Sequence, residues 1–349
     1  MTAPSAAPRS ICLFRLSALG DVCNCVPMVR AIQARWPEAR LTWIIGPFEH
    51  RLVETLPGVE FIAYDKRSGR AGRRALDRAL AGRRFDVLLL AQVSLRASLV
   101  ARRIRADRRI GFDRERSREG HGWFINERIR AVPFQHQALA FLEFARQLDA
   151  DVDGVDRRLP IPEDARAFAE THQPEAGRAV LISPASSHTG RNWTVEGYAE
   201  VADRVAEEFG RPVILVGGPS RSERELGDRI LATARTTPLD LIGQDTIPQL
   251  LAMLDRAACL ITPDSGPAHF AAALGTPVVG LHAATWARRS GPLGSLEHCV
   301  DKYPEAARKF LGKAPEAVRW GRRIERPGVM ESITPDEVMD RLRGILQAT

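Results

Sequence analysis

The 349-residue chain has no uninterrupted apolar stretch near the roughly 20 residues a bilayer-crossing helix needs. Its first ten residues, MTAPSAAPRS, have no apolar core of the signal-peptide kind. Together these absences predict a cytoplasmic protein. No repeat of solenoid period and no long low-complexity segment is present, so repeat architectures and disorder are set aside. Cysteine is scarce and odd in number. Cys12, Cys23, Cys25, Cys259 and Cys299 are scattered, and Cys23-Asn24-Cys25 has no second pair at zinc spacing, which predicts reduced buried thiols and no structural metal. Aromatics make up only 6%, thin for a surface that stacks nucleic-acid bases. No G-x-G-x-x-G follows the first strand-like run, which gives a dinucleotide fold little support.

Residues 257–281, AACLITPDSGPAHFAAALGTPVVGL, are the most informative part of what is present. An apolar strand over 259–262 meets Pro263, Asp264-Ser265-Gly266 supply turn chemistry, and Pro267 suits the first turn of a short helix ended by Gly275. A strand, turn and helix of this kind point free amides and the helix's positive end out of a sheet's carboxyl edge, which makes an anion site. Taken alone the turn is an ordinary α/β connection. Asp264 and His269 add two ionisable side chains that the helix geometry brings back to the mouth of the turn.

A second strand-turn-helix opens the chain: an apolar run over 10–16, then SALGD, then a helix over 22–35 stopped by Trp36-Pro37. Asp21 is either a cap of that helix or, at the carboxyl end of the first strand, a functional carboxylate. Between Lys66 and Arg130 there are 19 Lys/Arg against 7 Asp/Glu, an excess larger than the whole chain's net +7. The remainder is slightly acidic. Positive charge confined to one half predicts an anionic partner there: nucleic acid, a phosphorylated substrate or an anionic membrane surface. Arg102-Arg103 and Arg108-Arg109 read equally well as a solvated face.

Strand-like and helical segments alternate over 10–148, including helices at 49–56, 75–81 and 134–148, with a basic flexible stretch at 64–72 and a binding loop at 112–124. The acidic, proline-bearing residues 149–162 and a helix at 163–177 read as a connection, and a second alternation starts at 179. The fold class predicted is α/β with two Rossmann-like domains, their parallel sheets facing across a cleft. The divisions are 1–150, a linker over 151–177, a second domain over 178–333 and a C-terminal helix over 334–349.

Taken in order, SALGDV, GFDRERSREG, SSHTGRNW, VGGPSRSERE and DSGPAHFAAALGTPVVGL resemble the heptosyltransferases, glycosyltransferase family nine, over nearly the whole chain. The resemblance implies the GT-B fold and a metal-independent, inverting transfer of heptose from ADP-heptose to a lipopolysaccharide inner-core hydroxyl. It implies no cofactor and no nucleic-acid partner, and places the enzyme at the cytoplasmic surface of the inner membrane. By the same resemblance Asp21 is the general base. Arg191 stands where the family has a lysine, a planar fork in place of a compact ammonium. Ser186 and Ser187 take the phosphates, Glu223 the ribose, and Asp264 the donor sugar. Ser265 and Gly266 offer amides to the pyrophosphate beside His269, and adenine lies near 244–246, with Thr246 among the donor contacts. The acceptor is assigned to domain 1–150 through Lys66, Arg67, Arg114, Arg116, Arg118 and His121, and the donor to 178–333. HAATWARRSGP departs from the GPTDP-like turn of many relatives. Two alternatives stay open: a GT-B enzyme using another nucleotide sugar, and a non-catalytic nucleic-acid-binding protein using the basic half.

Overall fold

A computed structural model describes residues 7–347, and the chain divides into two compact units between Pro160 and Ile161. The first unit holds six parallel strands: β1 (Ser10–Phe14), β2 (Arg40–Ile45), β3 (Val59–Ala63), β4 (Phe85–Leu90), β5 (Ala106–Gly111) and β6 (Glu127–Arg128). Their order is β3-β2-β1-β4-β5-β6. The second unit holds β7 (Val180–Ile182), β8 (Val213–Leu215), β9 (Leu239–Asp240), β10 (Cys259–Pro263), β11 (Val278–His282) and β12 (Val300–Asp301), in the order β12-β11-β10-β7-β8-β9. Counted within its own unit, each sheet has the same doubly wound order, with helices between successive strands. The strands are near-continuous apolar runs because both faces are covered; Ile11–Phe14 and Val278–Val279 are fully buried.

The order reverses between β1 and β4 in one sheet and between β7 and β10 in the other. At such a reversal the connections leave in opposite directions and open a crevice at the strands' carboxyl ends. SALGD follows β1 and PDSGPAH spans the end of β10, so both motifs sit at these crevices.

Several boundaries differ from the sequence expectation. The helix expected over 163–177 is Glu163–His172, and it packs on the Ile247–Arg256 helix, so it belongs to the second unit. The Gln173 side chain fixes it further by donating to the Met253 carbonyl at 2.8 Å. The final helix, Pro335–Leu346, packs against Val195–Phe209 and buries Val338, Met339 and Leu342 completely, which makes it part of that unit's core. Part of the stretch expected to be flexible is helical, Gly69–Ala79, and the helix expected at 49–56 shrinks to Pro47–His50. The helix expected to start at 134 is Gln137–Arg146, because Phe134 adopts a left-handed φ of 51° and His136 caps the start. Pro263 closes β10 opposite Leu281 instead of lying beyond it, since a missing N–H costs little at a strand's last position.

Candidate active site

In the second unit the loops after β7, β10 and β11 converge. The Thr262 hydroxyl donates to the Ser183 carbonyl at 2.9 Å and lies 2.9 Å from the Ser265 hydroxyl, tying the β10 end to the β7 end. Ser265 is the N-cap residue of the Gly266–Leu274 helix, yet its side chain makes no cap bond, which leaves the first amides of that helix for another acceptor. Ser186 bridges two loops: its amide donates to Asn192 Oδ1 at 2.7 Å and its hydroxyl to the Asp264 carbonyl at 3.0 Å. A short 3-10 turn, Thr189–Arg191, then carries Arg191 inward.

Arg191 is buried, and its Nη1 meets Asp264 Oδ2 at 3.2 Å while its Nε donates to Glu325 Oε1 at 3.0 Å. Its third nitrogen, Nη2, is buried with no hydrogen-bond partner. Burial alone would raise the Asp264 carboxyl, but its neighbours His282, Arg191 and His269 outweigh that and hold it below the usual carboxylate range.

The other donor-side candidates are more loosely placed. Glu223 takes the Gly218 amide at 2.6 Å and the Ser220 hydroxyl at 3.0 Å, holding the turn that follows β8. Thr246 forms the capping box of the Ile247–Arg256 helix with Gln249, so its side chain serves the helix start, and Ser187 is exposed. Asp245, just before Thr246, has Oδ2 shielded from solvent and unpartnered; burial, aided by the charge on Glu223, pushes its carboxyl up to about 7.

In the first unit Asp21 lies in the first turn of the Leu19–Arg35 helix, partly exposed and paired with Arg15. Arg15 is itself buried, donates to the Ala91 carbonyl at 2.6 Å and lies over the Phe141 ring. Gln92, just past β4, accepts the Leu16 amide at 2.8 Å. A cavity of about 330 Å³ opens at this rim, lined by Ser17, Tyr64, Lys66, Gln92, Arg96 and Glu119 among others. Lys66 is thus on a cavity wall, and Arg67, Arg114 and Arg118 are exposed. Arg116 and His121 are not exposed in this way. Arg116 pairs with the buried Asp113 and reaches Gln135 Oε1 at 3.1 Å. His121 is 1% exposed and accepts the Phe112 amide on Nε2 at 3.2 Å, and burial, helped by Arg128, pushes its imidazole down to about 4. Both hold the 112–124 loop in shape.

Residues 73–316 match the family described as Glycosyltransferase family 9 (heptosyltransferase). The chain is also 36% identical, over 97% of its own length and 97% of the relative's, to the lipopolysaccharide core heptosyltransferase OpsX of Haemophilus influenzae. This chain belongs to glycosyltransferase family 9. Two solved structures share its fold. A family 9 glycosyl transferase from Veillonella parvula has a TM-score of 0.78 and 22% identity over 98% of both chains. The ADP-heptose lps heptosyltransferase II of Escherichia coli has a TM-score of 0.74 and 20% identity over 97% of this chain and 99% of that one.

In this family 9 heptosyltransferase the structure assembles Ser186, Arg191, Asp264, Ser265, Gly266 and His269 at one switch point, and Asp21 at the other. Sequence reasoning missed four neighbours. Arg15 and Gln92 were hidden because a strand-end Arg and a loop Gln read as surface residues until β1 and β4 pair. Asp245 lies inside the 244–246 stretch given to adenine, but only its burial singles out its side chain. Glu325 lies 134 residues from its partner in a loop-rich stretch that carries no local signal.

Proposed function

We propose that the enzyme transfers heptose from ADP-heptose to an inner-core hydroxyl of lipopolysaccharide, with inversion and without a metal ion. One observation carries this reading: a buried guanidinium, Arg191, sits beside the amide-rich start of the Gly266–Leu274 helix with Nη2 unsatisfied. Breaking a sugar–pyrophosphate bond builds negative charge on the departing diphosphate and positive charge at the anomeric carbon. Arg191, the first amides of the helix and its dipole meet the former. The ionised Asp264 faces the sugar end. Asp21 takes the proton of the acceptor hydroxyl as that oxygen attacks the anomeric carbon from the face opposite the departing ADP, a role typically worth about 10²–10⁴-fold. Ser187 contacts the donor through its exposed hydroxyl, Thr246 only through groups left over from its capping duty, and Glu223 takes the ribose.

On the acceptor side, Lys66, Arg67, Arg114 and Arg118 complement a phosphorylated, acidic lipid headgroup. Among the described residues no helix is long and apolar enough to cross a membrane. Exposed Leu95 and Leu99 share one face of the Leu95–Ala101 helix, and Trp123 is 87% exposed, a pattern suited to contact with an anionic membrane surface. The reading therefore places the enzyme peripherally at the inner membrane, with no nucleic-acid partner.

The test is turnover with a Kdo–lipid A acceptor and three donors, ADP-heptose, ADP-glucose and UDP-glucose, with and without a chelator. Transfer from ADP-heptose, undiminished by chelator, is the expected result. Absence of product with ADP-heptose, or product only with a uridine donor, overturns it.

A further inference from the structure

Arg191 occupies a position for which the family resemblance implies a lysine, and the two side chains need different surroundings. An ammonium is one compact centre with rotatable donors; a guanidinium is a rigid plane whose three nitrogens must each find a place. Here Asp264 takes Nη1 at 3.2 Å, Glu325 takes Nε at 3.0 Å, and Nη2 is left over inside the protein. We infer that Glu325 is a positioning residue for the transfer reaction, fixing the plane of Arg191 so that Nη2 is presented to the donor's diphosphate. The inference rests on the donor reading proposed above.

Glu325 is carried by a segment that is itself anchored. The amide of Ile324 donates to the Ala284 carbonyl at 2.8 Å, just past β11, and the Ile324 side chain is 2% exposed in the core. The Tyr303 hydroxyl donates to the carbonyl of Arg322 at 2.8 Å, and Arg326 Nη1 to that of Phe310 at 3.0 Å. The approach to the Thr189–Arg191 turn is close. A Cβ added at Gly190 would lie 2.8 Å from the Glu325 Cβ and 3.4 Å from its Cα, so a side chain at 190 would push the two segments apart. A carboxylate held this firmly on both sides loses little freedom in keeping Arg191 oriented, unlike a mobile surface pair.

Two carboxylates on one guanidinium also set its orientation. With only Asp264 present, Arg191 would be free to rotate its fork onto that carboxylate in a bidentate pair and withdraw Nη2 from the site. Glu325 on Nε blocks that rotation. A lysine at 191 has no Nε to engage, so Glu325 would have nothing to orient, and this asymmetry separates positioning from general electrostatics.

The experiment is a double-mutant cycle of Arg191→Lys and Glu325→Ala, with Glu325→Gln as the conservative variant. It is read by kcat and donor KM, by calorimetric binding of ADP, and by thermal unfolding. Loss of one charge-assisted hydrogen bond predicts that Glu325→Ala lowers kcat about 10- to 100-fold with a smaller change in acceptor KM. Glu325→Gln, whose amide oxygen still accepts from Nε, recovers most of that loss. In the Arg191→Lys background Glu325→Ala adds little. Additive losses in the cycle, or an unfolding shift in Glu325→Ala with kcat unchanged, overturn the inference. Should Glu325→Ala fail to fold, a Glu325→Gln enzyme that folds but has lost about 10-fold or more in kcat would overturn it too, because its amide oxygen still accepts from Nε. Failure of the donor reading looks different: the wild-type enzyme itself then binds no ADP.

Discussion

The guanidinium of Arg15 joins the carboxylate of Asp21 to the carboxyl end of a neighbouring strand, its Nη2 paired with Asp21 and its Nη1 donating to the Ala91 carbonyl at 2.6 Å. The candidate base is therefore not a free side chain at a helix start. It is aimed by a buried cation that is itself fixed to the β4 end, and its partly exposed remainder is left to accept a proton.

Replacing Asp21 with Asn preserves the shape of that pair and removes the proton acceptor. The expected outcome is a fall in kcat of about 10²–10⁴-fold with calorimetric ADP affinity unchanged. Activity within a few-fold of wild type would reduce Asp21 to a helix-start residue whose only duty is to Arg15.

The arginines of the 112–124 loop separate into two kinds. Arg114 and Arg118 are exposed, whereas Arg116 is tied to the buried Asp113 and His121 is buried beneath the loop. Arg116→Ala strands Asp113 without its counter-charge, a change that typically costs about 3–5 kcal/mol, and should lower the urea midpoint. Arg114→Ala and Arg118→Ala should leave the midpoint within error and raise acceptor KM more than donor KM. A shared stability loss across all three would place the whole loop in the folding core.

Asp245 gives the second unit an unusual pH response. Its carboxyl is raised in the folded chain, from an ordinary 3.8 to about 7, so the folded state holds the proton more tightly than the unfolded one. Stability from this group is complete below about pH 4 and is lost as pH rises towards 7. Asp245→Asn should therefore stabilise the protein at pH 8, by at most about 4 kcal/mol at 1.36 kcal/mol per pKa unit, and leave it unchanged at pH 4. Chemical denaturation at the two values measures this, and an equal effect at both would mean that the carboxyl is already ionised throughout.

Much of this was legible in the linear order of residues. Parallel strands buried on both faces are written as short apolar runs, as at 259–262, which the structure extends only by Pro263. The helices that start at Thr194, Ser220 and Thr246 are each capped by a hydroxyl residue three positions before its partner amide. Short strands were harder: β6 is two residues, held by pairing with β5 and by little in its own composition. The same limit applied to the 163–172 helix, which reads as a connector until its packing on 247–256 is known.

Local chemistry determined the two strand-turn-helix units, the Asp264-Ser265-Gly266 turn and the helix that gives the turn its positive end, because those depend on residues within a few positions of one another. Tertiary structure alone decided which charges meet. Arg191 is 73 residues from Asp264 and 134 from Glu325, Arg15 is 76 from Ala91, and His121 is buried although exposed, charged Arg118 and Glu119 stand just before it. Such pairings are fixed by the order in which strands join a sheet, a long-range choice made by burial of apolar surface, and no window of the sequence contains both partners.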